Sequence, residues 1–235
     1  MIFESAKRQV RKGYMKLSIR TNLYRYCLGN DIPKEWSTEY HSPEYHSEEY
    51  GDKNQIGAFF FYRNEETAYK VLTEAIKKAA KHGQNFQNST LTCCQTIEDI
   101  SILDFTDCAR PVQMLNILYD EGIDVLTSDF FLHPNKKHSF NNIRGYHQYI
   151  MDNRKTNDIK VCSKILNKAD KIDKFFKEHV GYTGQLLTDF GNGIPFKRQL
   201  EEKGYEGYQF MEEKSSPTIC LFNSSKLTLP VHRIV

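Results

Sequence analysis

Apolar residues recur at every third or fourth position after Asn64, at Ala68, Val71, Leu72, Ala75, Ile76 and Ala79. This period predicts an amphipathic helix whose one apolar face lies on a flat surface. Asn64 is a good N-cap, Glu65 and Glu66 suit the positive end of the dipole, and Lys77, Lys78 and Lys81 suit its negative end before Gly83. Pro111 to Glu121 predicts a second helix, with Met114, Leu115 and Leu118 inward and Gly122 just past its end. Asn157 to His179 predicts a third, with Ile165, Leu166, Ala169, Ile172, Phe175 and Phe176 on one side, and Pro195 to Lys203 a short fourth closed by Gly204. Strand patterns fall at Asn22–Cys27, in the aromatic run Phe59–Tyr62, at Thr90–Thr96 and at Ile100–Phe105; Ile123–Leu126 is a short apolar run of the same kind. Two further strands, Tyr205–Met211 and Thr218–Phe222, form a closing hairpin, and the polar, basic stretch from Leu132 to Gly145 reads as a long loop.

The chain has 235 residues, enough for one substantial domain; we expect a single domain over 1–235 with an inserted segment at 130–180. Apolar residues at 39% and charged residues at 26% exclude bulk disorder. The formal net charge of +2 does not by itself point to nucleic acid. Basic residues crowd the N-terminus (Lys7, Arg8, Arg11, Lys12, Lys16, Arg20), and an acidic stretch follows from Glu35 to Asp52. No run approaches the roughly 20 apolar residues of a membrane span, and Met1–Arg8 lacks the apolar core of a signal peptide, so the expected location is cytoplasmic. The six cysteines follow neither disulfide nor zinc spacing and are expected to be reduced. His41 and His46 read as solvated loop histidines rather than metal ligands.

On the third helix, Lys160, Lys164, Lys168 and Lys171 share one face at i, i+4, i+8, i+11. Such a stripe suits phosphate, whereas Asp158, Asp170 and Asp173 along the same helix favour an ordinary solvated face.

Three separated segments carry the candidate chemistry. Arg25 stands mid-strand in Asn22-Leu23-Tyr24-Arg25-Tyr26-Cys27, with its planar fork suited to phosphate or to ribose hydroxyls; the simpler reading is an edge-strand arginine paired with a surface acid. Gly57-Ala58-Phe59-Phe60-Phe61-Tyr62-Arg63-Asn64 runs into the capped helix with Ala68 and Tyr69, and core packing competes with ligand contact for each aromatic. Gly204-Tyr205-Glu206-Gly207-Tyr208 opens the closing hairpin, which ends in Thr218-Ile219-Cys220-Leu221-Phe222-Asn223.

In this order the three segments resemble the NAD-binding core of the ADP-ribosyltransferase superfamily, over roughly residues 20–105 and 195–228. The resemblance implies an α+β fold: a split mixed β-sheet core with peripheral helices and a helical insertion. It implies transfer of ADP-ribose from NAD, the substrate, to a macromolecular acceptor, either protein or nucleic acid, or NAD hydrolysis as the simpler variant. In that scheme Arg25 holds NAD, Tyr62 meets the nicotinamide ribose, and Tyr24, Gly57, Phe61 and Tyr69 complete the binding residues. Cleaving the nicotinamide bond builds positive charge on the ribose, which calls for a carboxylate. Many relatives supply a glutamate just before the last strand, where this chain has Pro217 and Thr218. Glu212, Glu213 and Glu206 are the carboxylates near enough in sequence to replace it, although a turn role suits Glu206 and a solvated hairpin tip suits Glu212 and Glu213. A second departure is Phe61, where many relatives carry Thr or Ser. The family's common uses suggest a toxin or defence effector, with an antitoxin or inhibitor as partner. The alternative is a catalytically inactive module of the same fold that binds a nucleotide, nucleic acid or a partner protein.

Overall fold

The computed structural model describes residues 13–29, 35–36, 56–83, 86, 88–123, 125–126, 137–179, 193–213 and 216–235. The strands are β1 (Tyr14–Leu17), β2 (Asn22–Cys27), β3 (Phe59–Tyr62), β4 (Thr90–Gln95), β5 (Ile100–Asp104), β6 (Gly207–Glu213), β7 (Ser216–Leu221) and β8 (Val231–Ile234). The helices are α1 (Glu65–Lys81), α2 (Pro111–Asp120), α3 (Lys137–Asn153), α4 (Ile159–His179) and α5 (Gly193–Glu202). His41, His46 and most of the acidic stretch lie outside the described residues, as do residues 1–12 of the basic N-terminus.

All the strands join one sheet in the order β1-β5-β6-β7-β3-β2-β4-β8, so the fold is α+β with a mixed sheet. Among the described strands only β5 and β6 run parallel, and the long crossover that such a pair requires carries α2 to α5. β3 and β4 flank β2 antiparallel on either side, with α1 crossing between them. The sheet is continuous. Its narrowest seam is β2–β3, joined through the single pair Tyr24–Tyr62.

Both faces of the sheet are apolar, which is why Phe59–Tyr62 shows no polar alternation. On the first face, Tyr24, Tyr26, Tyr62 and Leu91 pack with Ala68 and Val71 of α1. Further along that face Leu103, Tyr208, Phe210 and Cys220 meet the inner residues of α2 to α5. The second face gathers Leu17, Leu23, Phe59, Phe61, Cys94, Ile102, Ile219 and Leu221, with Trp36 against them.

Asn64 caps α1 as its sequence predicts: its Oδ1 accepts from the Thr67 amide at 3.0 Å. The stretch expected to be a loop from Leu132 to Gly145 is helical from Lys137 onward. Its Asn, Ser, His and Gly lower helix propensity, but Phe140, Ile143, Ile150 and Met151 bury one face, and that burial outweighs propensity. Of Ile123–Leu126, the described members Ile123, Val125 and Leu126 lie outside the strands and are buried. β1 and β8 were not foreseen, because four residues are too few to display a period.

The segment at 130–180 contributes Phe140, Ile143, Ala169, Ile172, Phe175 and Phe176 to the main core. At the start of α2, Arg110 binds Asp170 and Asp173 of α4, and the Asp173 Oδ1 also accepts from the Val112 amide at 2.9 Å. Leu166, expected inward, is 60% exposed.

Candidate functional site

Strand register decides which candidate residues can meet. Tyr24 is opposite Tyr62, and Tyr62 is opposite Thr218, so these three side chains form a row across β2, β3 and β7 on the first face. Pro217 has no N–H for the ladder, and opposite it the β6–β7 register shifts between Phe210 and Glu213. At this irregularity Glu212 lies on the surface and its Oε2 accepts from the Thr218 hydroxyl at 2.9 Å. A carboxylate from β6 thus reaches the residue that precedes the apolar part of the last hairpin strand.

Glu65, in the first turn of α1, lies near the same row. It pairs with the Arg233 guanidinium at 2.9 Å, and it raises the Tyr24 phenol. Burial is the largest cause of that rise, Cys93 adds to it, and Asn22 opposes it. A raised Tyr24 keeps its proton and stays a hydrogen-bond donor at neutral pH.

Arg25 occupies the other side. Alternation along β2 turns it away from Tyr24 and Tyr26, toward the second face with Leu23. Its cross-strand neighbours there are Thr92 and, beyond it, His232; the Thr92 hydroxyl and His232 Nδ1 are 2.8 Å apart. The Arg25 charge also opposes the burial that raises the Cys27 and Cys94 thiols. β2 is an interior strand, so Arg25 is not the edge-strand arginine of the simpler reading.

Phe61 is on Arg25's face, fully buried, with its ring 5.5 Å from Trp36 in an edge-on contact. The Trp36 indole N–H in turn donates to the Thr228 carbonyl at 2.9 Å. Phe61 is therefore a core residue, and its departure from a hydroxyl-bearing residue suits that role.

The remaining candidates are dispersed. Gly57 has φ +60° and precedes β3; its carbonyl accepts from Lys197 at 3.3 Å, and it is five positions from Tyr62, at most roughly 16 Å along the chain. Tyr69 points outward from α1 and is 46% exposed. Glu206 precedes β6, at the end away from Glu212 by roughly 20 Å of strand. It is held by Lys226 at 2.9 Å and accepts from the Ser101 amide, which makes it a clamp on the β5–β6 end of the sheet. Glu213 belongs to β6, and its side chain lies outside the described residues.

The structure thus gathers Tyr24, Tyr62 and Glu212 on one face and sets Arg25 with Phe61 on the other. Thr218, Glu65, Thr92 and His232 join these groups without having been singled out. Val231-His232-Arg233-Ile234 does not alternate, so β8 carries no period in sequence, and Thr218 reads in sequence only as the place of a missing acid.

Among the described residues no group of three or more His, Cys, Asp or Glu could hold a metal ion, and no helix is long and apolar enough to cross a membrane. Comparison of the chain with protein-family models, with curated proteins and with solved structures found no match.

Proposed function

We propose that the protein transfers ADP-ribose from NAD to a macromolecular acceptor, with NAD hydrolysis as the simpler variant, and that the reaction takes place on the first face of the sheet. One observation carries this reading: the Glu212 carboxylate is anchored on Thr218, at the position where the resemblance calls for an acid, in the row that holds Tyr62 and Tyr24. An exposed carboxylate there would face the cationic ribose or draw the proton from an acceptor hydroxyl, and the two phenols would contact the nicotinamide riboside. In this reading Arg25 has a different part from the one the resemblance implies. It projects from an interior strand through the opposite face, so one small ligand does not touch both Arg25 and Tyr62.

That separation favours a second reading, the inactive nucleotide-binding module. In it, Arg25, Thr92 and His232 would hold an anionic ligand on the second face.

The test is free nicotinamide after incubation with NAD, followed by chromatography, for wild type, Glu212→Gln and Arg25→Ala, with NAD binding measured by calorimetry. The proposal expects release that falls about a hundredfold or more in Glu212→Gln and survives in Arg25→Ala. Binding without release, lost in Arg25→Ala, would establish the module instead. Neither binding nor release would refute both.

A further inference from the structure

One face of α4 carries Lys160, Lys164, Lys168 and Lys171. In sequence, Asp158, Asp170 and Asp173 accompany Lys160, Lys164, Lys168 and Lys171, but the structure engages all three acids elsewhere. Asp158 caps its own helix, its Oδ1 accepting from the Lys160 amide at 2.8 Å and from the Val161 amide at 3.3 Å. Asp170 and Asp173 turn to Arg110 at the start of α2. None of the four lysines forms an ion pair among the described residues; the pair on this helix is Lys174–Glu178, one turn further on. Four ammonium groups therefore share one arc of about 80°, none of them ion-paired among the described residues.

The stripe is bordered by rings. Lys168 Nζ lies 4.6 Å from the Tyr146 ring centre and 4.8 Å from that of Tyr149, and Lys171 Nζ lies 5.4 Å from Tyr146. Both tyrosines are half-buried on α3, beside the lysine stripe of α4. Residues four apart on a helix rise about 6 Å, a spacing that an extended single strand can match phosphate by phosphate, while half-exposed aromatic side chains beside them give its bases a surface to stack on.

We infer that the α3–α4 face, through Lys160, Lys164, Lys168 and Lys171 with Tyr146 and Tyr149, binds single-stranded nucleic acid. This holds whether or not NAD is a substrate, since none of these residues belongs to the first-face site. Alternating cation and aromatic contacts distinguish it from a surface for acidic peptide or anionic lipid, for which charge alone would serve.

The probe is a fluorescein-labelled 20-nucleotide oligouridylate, its binding to the full chain followed by anisotropy between 50 and 200 mM NaCl. Four phosphate contacts give a slope of log affinity against log salt of about −2.8, a loss of about fifty-fold over that range. Lys164→Ala/Lys168→Ala should reduce the slope by about 1.4. Tyr149→Ala should weaken binding about fivefold or more at an unchanged slope. These residues are at the surface, and circular dichroism verifies that each variant is folded.

Absence of binding at 50 mM salt and 100 micromolar protein would overturn the inference, as would a slope indifferent to the lysine pair. So would equal competition by polyglutamate or by phosphatidylserine vesicles together with indifference to Tyr149→Ala, because the surface would then be reading charge only.

Discussion

Replacing Gly207 by alanine would put a methyl carbon 2.0 Å from the carbonyl oxygen of Cys220 and 3.1 Å from Leu221 Cδ2. The first neighbour is backbone in the strand paired with β6, so no rotamer change relieves the contact. β6 and β7 would have to separate at the Gly207–Leu221 pair, where Tyr208 and Cys220 next in line are fully buried. Overpacking where side chains can yield costs roughly 1–3 kcal/mol, and a distorted ladder adds about 1 kcal/mol for each hydrogen bond weakened. We therefore expect Gly207→Ala to lose about 3–4 kcal/mol, or roughly 10 °C in Tm for a chain of this size. Two other glycines calibrate the result. Gly204 has open space but φ +82°, so Gly204→Ala should cost about 1–2 kcal/mol through backbone strain. Gly145 lies within α3 with nothing near its Cβ, and Gly145→Ala should stabilise by about 0.8 kcal/mol. Urea unfolding followed by circular dichroism and by the fluorescence of the single tryptophan, Trp36, measures all three. A Gly207→Ala protein within 1 kcal/mol of wild type, at the same denaturant slope, would refute the reading of this hairpin as a backbone close approach.

Burial pushes the thiols of Cys94 and Cys220 up to about 12 from an ordinary 9.0. The folded chain holds these protons where the unfolded chain releases them, so their contribution is complete below about pH 9 and drains away between about pH 9 and 12, by at most about 1.4 kcal/mol per pH unit for each thiol. Urea midpoints at pH 8, 9.5 and 10.5 should fall less steeply for Cys220→Val than for wild type, and identical pH dependence would contradict the assignment. At the start of α1, Asn64→Ala should cost about 1 kcal/mol and Asn64→Ser almost nothing; thermal unfolding by circular dichroism would reject the cap if the two variants were equally stable.

The sequence by itself determined those local elements whose period, caps and turn residues agree. α1 was legible from cap to last turn because its period, its Asn64 cap and its charge gradient agree. The termini of α2 were legible from Pro111 and Gly122, and the closing hairpin from its glycines and apolar strands. α3 was missed because burial of Phe140, Ile143, Ile150 and Met151, rather than propensity, makes it a helix. Only the tertiary structure decided which side chains meet. A strand's sequence shows that Arg25 and Tyr24 point opposite ways, but not that Tyr24 shares its face with Tyr62 and Thr218, because that depends on pairing between distant segments. It shows acids along α4, but not that Asp170 and Asp173 leave the lysines for Arg110, which a separate helix brings to them. Periodicity is a property of one segment and can be read along the chain; a site is a property of register and of contact between segments, and those are set when the sheet and its helices close on a common core.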